Sequence, residues 1–416
     1  MFFRWRIIPF LLLSGVVVSL QSILFRTKRD NDAGNIKNTY YEIYGTNTAA
    51  KSKSLTEYLY NARDVDYTLR GMVYIKGCEK YKLGTLQHNI FSELEEVKIS
   101  DFLIDKTELT VAEFKKYLTI LANYYRKVHK KASFLENKND TNYMYINDSM
   151  LFDMNKVSNS AFSLNDDEVI NKYAKDINNN IDTKFEPYVK KYLTMRNEFK
   201  SKINENYIYD MLPWEAFENE TDKKLIKDYY YDNANLHKPA ICLNWEQCKE
   251  IALLRTIYAN EYLINILTRD NKCLIFFSMP DYKQWCYAAE KHDGEYIDGI
   301  TLYGWGSITS TDKNGKAYGN FNTGDYNNDN IYITDVRKYP PNQNGIYDMS
   351  GNVWEWLDEN DDAYLFNGSK HPNVKMIVGG SYTSEPSEVE IGVYRLEHIY
   401  SSKKNISVRY VADIIY

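Results

Sequence analysis

The stretch Asn344-Gly345-Ile346-Tyr347-Asp348-Met349-Ser350-Gly351-Asn352-Val353-Trp354-Glu355-Trp356 decides how the rest of the chain is read. Gly351 can take positive φ and Asn352 tolerates it, so the pair forms a corner. Trp354 and Trp356 lie two apart. In an extended chain they share one face and Glu355 takes the other. No helical period fits. Such a corner, dense in aromatic and polar groups, belongs to a fold with many loops and little regular sheet.

The composition sets bounds on the whole. The chain has 416 residues, 44% hydrophobic and 15% aromatic, enough for one large domain or two ordinary ones. Its 38 tyrosines suit polar-rimmed loop cores and interfaces, because each buries area while keeping a hydroxyl to satisfy. The formal net charge of −6 leaves no basic footprint, which argues against a nucleic-acid partner. Cys78, Cys242, Cys248, Cys273 and Cys286 are odd in number and form no CxxC pair, so neither a disulfide framework nor a zinc site is read from them.

The N-terminus reads as an export segment. Arg4 and Arg6 precede the apolar run Ile7 to Val18. Residues 1–25 are a signal peptide or an uncleaved anchor, since a spanning helix needs about 20 apolar residues. Leu13-Ser14-Gly15 opens like a lipoprotein processing site, but Val16 stands where the lipidated Cys would be. Residues 26–70 form a polar lead-in.

Downstream, Gly71 to Gly77 and Val97 to Asp105 are expected strands. Thr110 caps a helix, with Glu113 completing a capping box. Residues 127–207 turn rich in Asn, Asp and Lys and read as a polar insertion of helices and loops, a solvated insert or an interaction arm. His237 to Trp245 is an expected buried strand, followed by a helix from Glu246 to about Leu267. Cys273 to Phe277 is a strand, and Pro280 opens another helix through Ala289. Met376 to Tyr382 runs into a glycine turn, and Ile391 to Arg395 and Ile406 to Ala412 are closing strands. Residues 71–416, apart from the insertion at about 127–207, read as one α+β domain.

Taken in order, these blocks resemble the sulfatase-modifying-factor family, the fold of the formylglycine-generating enzymes. The matching residues are Gly71 to Gly77, Asp105 to Thr110, Pro239 to Trp245, Pro280 to Ala289, Gly345 to Trp356, Val378-Gly379-Gly380-Ser381 and Ser407-Val408-Arg409. Within the family the chain looks most like the GldK/PorK group of gliding-motility and type IX secretion proteins. GldJ, of the same machinery, stands close beside it. That likeness implies a structural component at the periplasmic face of the outer membrane, self-associating into a ring with a GldN/PorN-type partner.

The resemblance also says where chemistry would be. The enzymes hold copper with two cysteines, which fall near Ile391 and Leu396 here, and neither position is Cys. No thiolate is available there, so no copper and no oxidase activity are expected. The six histidines lack ligand spacing, and no G-x-S-x-G occurs. The alternative to a pseudoenzyme is an enzyme or a sugar- or peptide-binding module on the same scaffold. The resemblance implies structural calcium too, with Asn352 and Glu355 as ligands and Asn320 at a second site. The plainer expectation is that Asn352 and Glu355 satisfy backbone groups at the corner.

Overall fold

Short apolar strands lie far apart in the chain, and the fold is built by bringing them together. Met72–Ile75 (β1) pairs antiparallel with Phe102–Asp105 (β4). The last strand, Val411–Ile415 (β10), inserts between β4 and Leu274–Ser278 (β5), so the sheet order is β1-β4-β10-β5. Phe102, Leu103 and Ile104 are all buried, as residues on both faces of an inner strand must be. A hairpin, Cys78–Leu83 (β2) with Glu95–Ile99 (β3), stands apart. A second sheet has the order β8-β7-β6-β9, from Trp354–Trp356 (β6), Val374–Val378 (β7), Tyr394–His398 (β8) and Ile406–Ser407 (β9). Its β6–β9 pair is parallel. The mixture of helices, short strands and long loops is the expected α+β class.

This computed structural model describes residues 69, 71–83, 95–129, 167–170, 172, 185–266, 273–290, 301–324, 332–358 and 373–415. All lie in the unit Asp64–Tyr416. The export segment 1–25, the lead-in 26–70 (Leu69 apart) and much of the 127–207 insertion fall outside them. Among the described residues no helix is long and apolar enough to cross a membrane.

Helix α1, Val111–His129, starts where the capping box places it. The Thr110 hydroxyl accepts from Glu113 N at 3.2 Å, and the Glu113 carboxylate accepts from Thr110 N at 2.9 Å. The described part of the insertion is no solvated arm. Helix α2, Glu186–Lys202, buries Val189, Tyr192, Arg196 and Phe199. Phe185, Val189 and Tyr192 form a core with Leu274 and Phe276 of β5. Arg196 and Tyr192 both donate to the buried Glu261 carboxylate. Two shorter helices follow, Glu205–Asp210 (α3) and Glu220–Tyr231 (α4).

Helix α5, Trp245–Ile266, seals the β5 edge with side chains. Asn260 Nδ2 donates to Ile275 O at 2.7 Å and its Oδ1 accepts from Ile275 N at 3.0 Å, while Thr256 Oγ1 accepts from Phe277 N at 2.9 Å. Backbone groups that a missing strand would have paired are thereby satisfied. Helix α6, Tyr282–Ala289, is capped by Asp281 with Gln284, and Pro280 precedes the cap rather than opening the helix.

Three expected strands differ. Residues 97–105 break at Asp101, whose carboxylate accepts from Gly77 N and Tyr74. Residues 237–245 form no strand: only Pro239 bridges, to Thr110, and Cys242 takes φ 61°. The expected strand Ile391 to Arg395 begins at Tyr394, because Gly392 turns the chain at φ 87°.

At the end of α6, the nearly buried Glu290 accepts from Thr301 N at 3.4 Å and from the Tyr81 hydroxyl. Burial pushes its carboxyl from 4.5 up to about 7. A raised carboxyl pKa means that its stabilising contribution is complete below pH 4.5 and is lost as pH rises through about 7. Asp348, raised to about 6 by burial, acts in the same direction. Denaturant unfolding should therefore show lower stability at pH 8 than at pH 5, and Glu290→Gln should shrink that difference. An unchanged difference in the variant would remove Glu290 as its source.

Candidate functional site

The Gly351–Asn352 corner is held open by its neighbours. Gly351 takes φ 96°, and a Cβ there would lie 2.4 Å from Asn320 O. Asn352 follows at φ 64°. The corner is tied at Gly351 N to Gly379 O (2.7 Å), Asn352 N to Asn320 O (2.7 Å) and Tyr382 N to Asn352 O (2.9 Å). Sequence blocks at 320, 352 and 379–382 are thus stitched by backbone bonds at one point.

Two buried side-chain networks grow from this corner. In the first, Asn352 Oδ1 accepts from Asn320 Nδ2 (3.0 Å) and Thr334 N (3.1 Å), and Asn352 Nδ2 donates to Glu108 Oε1 (3.0 Å). Asn320 Nδ2 also reaches Tyr332 O at 3.0 Å. In the second, Glu355 faces Arg409. Arg409 Nη2 donates to Glu355 Oε1 at 2.7 Å and Nε to Oε2 at 3.0 Å, while Trp285 Nε1 donates to Oε2 at 2.7 Å. The remaining Arg409 donors go to Asp105 O and Tyr347 O, each at 2.9 Å. Arg409 is fully buried and Glu355 is 1% exposed.

The electrostatics follow from burial. Desolvation alone would lower the Arg409 pKa, but the Glu355 carboxylate outweighs it and holds the guanidinium above its ordinary value. Glu108 is pushed well above the usual carboxylate range, first by burial and then by the Asp348 charge.

The structure brings Asn320 and Asn352 together and sets Glu355 in a different network. Calcium requires 6–8 oxygens that are free to coordinate. Both Glu355 oxygens already accept from Arg409 and Trp285, and Asn352 Oδ1 accepts from Asn320 and Thr334. Of the three candidate ligands, only Asn320 keeps an unpartnered buried oxygen, Oδ1, and Glu108 Oε2 is a second such atom in the network. The donor set does not fit a calcium ion on Glu355 and Asn352. Asn352 instead satisfies the backbone of Thr334 together with the Asn320 side chain, and Glu355 satisfies the side chains of Arg409 and Trp285 rather than the backbone groups expected of it.

Glu108, Arg409 and Trp285 entered the sequence reading only as members of quoted blocks. Nothing local distinguishes a buried acid from a solvated one before the fold is known. Of the two positions where the enzymes would carry thiols, Ile391 is 3% exposed and donates its N–H to Leu302 O at 2.7 Å. Leu396 lies on β8. Neighbouring Tyr394 packs edge-on against Tyr282, with centroids 5.9 Å apart.

Two outcomes test this assignment. Glu355→Ala leaves a buried guanidinium without its partner and should cost about 3–5 kcal/mol in denaturant unfolding. A cost below 1 kcal/mol would mean that the pair is not buried as described. Calcium added to chelator-stripped protein should give no binding heat and no change in melting temperature. A rise in melting temperature that Glu355→Gln abolishes would restore Glu355 as a ligand.

Solved structures similar to this chain include Treponema denticola variable protein 1 (15% identity, 82% of this chain and 94% of that one, TM-score 0.41). PvdO from Pseudomonas aeruginosa matches at 14% identity over 82% and 94%, with TM-score 0.38, and CarF at 14% over 82% and 97%, with TM-score 0.37. At these scores they add no weight to an assignment. No curated protein matches the sequence. The model of the sulfatase-modifying factor enzyme 1-like domain matches residues 59–414, most of the chain. The chain belongs to the sulfatase-modifying factor enzyme 1-like family.

Proposed function

We propose that this chain is a non-catalytic structural component of a type IX secretion and gliding assembly, of the GldK/PorK kind. It acts after export at the periplasmic face of the outer membrane and forms a ring with a GldN/PorN-type partner. The observation that carries the reading is the state of the site. The carboxylate at the family's corner is neutralised internally by Arg409, and the positions near Ile391 and Leu396 have no thiol.

The thiols the chain does have are poor substitutes. Cys242, Cys248, Cys273 and Cys286 are buried, Cys78 is half-buried, and none of the five is in a disulfide. Burial pushes Cys242 and Cys273 up to about 12 and Cys248 well above its ordinary value. A thiol kept protonated is neither a nucleophile nor a copper ligand. A scaffold braced internally, with no thiol at these positions, is suited to assembly. Anchoring, with Val16 in place of the lipidated Cys, relies on the apolar 7–18 run or on the partner.

The full chain and the GldN/PorN-type protein from the same genome should co-purify as one complex and show closed rings by electron microscopy. Separate elution of the two at micromolar concentration, with no rings, would overturn the reading.

A further inference from the structure

Among the described residues, strand β8 is an edge of the second sheet and pairs only with β7. Its free side can be deduced from the ladder. Leu357 N donates to Met376 O at 3.1 Å, so the Met376 backbone faces β6. Lys375 and Ile377 then face β8, opposite Glu397 and Arg395. The backbone groups of Tyr394, Leu396 and His398 consequently point outward. His398 O is taken by Ser401 N at 2.8 Å and His398 N donates to Glu397 Oε1 at 3.2 Å, so the ladder bonds of the contact rest on Leu396. The outward N–H and C=O of Leu396 have no partner among the described residues. Unlike β5, whose edge Asn260 and Thr256 cover, β8 is left open at its centre.

We propose that β8 pairs antiparallel with β8 of a second copy of this chain, about a two-fold axis through Leu396. In this register the outward residues meet each other: Leu396 faces Leu396 of the second copy, and Tyr394 faces its His398. It sets Arg395 opposite Glu397 of the second copy, and Glu397 opposite its Arg395. The order of one cation and one anion around the axis is self-complementary, as an isologous contact requires. A shift by two residues places Arg395 against Arg395 or Glu397 against Glu397. A shift by one turns outward groups toward inward ones and loses the bonds. Charges along an edge ordinarily repel foreign strands. Here their arrangement admits one partner, the same strand inverted.

The contact requires two exchanges. Arg395, 54% exposed, releases Glu388 and its place 5.2 Å from the Trp354 ring centroid. Glu397, 15% exposed, is held by Ser401, His398 N and the exposed Lys403, and Arg395 of the second copy takes the place of Lys403. A pair with one exposed member exchanges it at small cost. The product is a continuous sheet running β9-β6-β7-β8 through the axis into the second copy. A two-fold contact closes on itself, so it makes a dimer and does not by itself propagate a ring. It also needs no other protein, and therefore stands or falls separately from the assembly reading.

Sedimentation velocity of the full chain tests it. The wild type should show a concentration-dependent monomer–dimer equilibrium. Arg395→Glu alone and Glu397→Arg alone each set like charges across the axis and should weaken the dimer by about tenfold or more. The double variant R395E/E397R restores opposite charges and should recover it, which a merely misfolded edge would not do. Leu396→Cys should form a dimer cross-link when oxidised with diamide, because opposed residues at such a position lie within disulfide reach. A wild type that stays monomeric up to about 100 µM, or single variants as dimeric as wild type, would overturn the proposal. A double variant that stays monomeric, or no cross-link through residue 396, would do so too.

Discussion

The Arg409–Glu355 pair is the interaction on which the rest of the structure depends. Arg409 lies between β9 and β10, and Glu355 is the middle residue of β6, so the pair joins the two sheets. Trp285 brings in α6 through the same carboxylate, and the other Arg409 donors bring in Asp105 at the end of β4 and Tyr347 in the approach to the corner. A hydrophobic contact could hold these pieces together but would not fix their rotation. A guanidinium with five donors in one plane does fix it. The desolvation cost of such a buried pair is large, so its contribution here is alignment more than net stability.

A second pair extends the same bracing. Arg255 of α5 grips Asp105 bidentately at 2.6 and 3.0 Å, and Asp105 Oδ2 also accepts from Tyr410 N at 3.2 Å. The Arg255 guanidinium lies 4.3 Å from the Phe277 ring centroid and 5.0 Å from that of Tyr410. Asp105 is therefore shared, its side chain taken by Arg255 and its carbonyl by Arg409. The helix that seals β5 and the sheet-joining pair are fastened to one residue. Strand β10 can enter the middle of the first sheet because residues 409 and 410, just before it, are held on both sides.

How far the sequence reveals this depends on how local each signal is. The capping box at Thr110 and Glu113, the helix from about residue 246 and the turn at Gly379–Gly380 are local, and each lies where the residues place it. The segment from His237 to Trp245 has the apolar content of a strand yet pairs as none. Its hydrogen bonds go to side chains and to distant backbone, as in Cys242 N to Lys403 O at 3.1 Å. Helix α2 looks solvated because Arg, Lys and Glu dominate it, and its anchor is Arg196, a charge buried against Glu261. Polarity marks exposure only when the counter-charge is not waiting inside. At the site, Asn352 and Asn320 are legible as corner residues. That Glu355 faces an arginine fifty-four positions later is a property of the fold.

The abundance of tyrosine and tryptophan has a structural cause that composition alone does not supply. A fold with so little regular sheet leaves many buried loop carbonyls without a ladder partner, and each needs a donor. Tyr230 donates to Ile241 O (2.7 Å), Tyr229 to Pro239 O (2.8 Å), Tyr282 to Gly392 O (2.6 Å) and Tyr410 to Cys248 O (3.1 Å). Trp245 donates to Leu357 O (2.9 Å) and Trp356 to Leu243 O (3.0 Å), a reciprocal exchange that locks the start of α5 to the end of β6. These residues fill volume with the ring and close a carbonyl with the tip, two requirements that Leu or Phe cannot meet together. These aromatics are thus consumed inside, in the loop cores that the tyrosine content suggests. At the surface, β8 keeps the Leu396 backbone groups, which no described donor or acceptor covers.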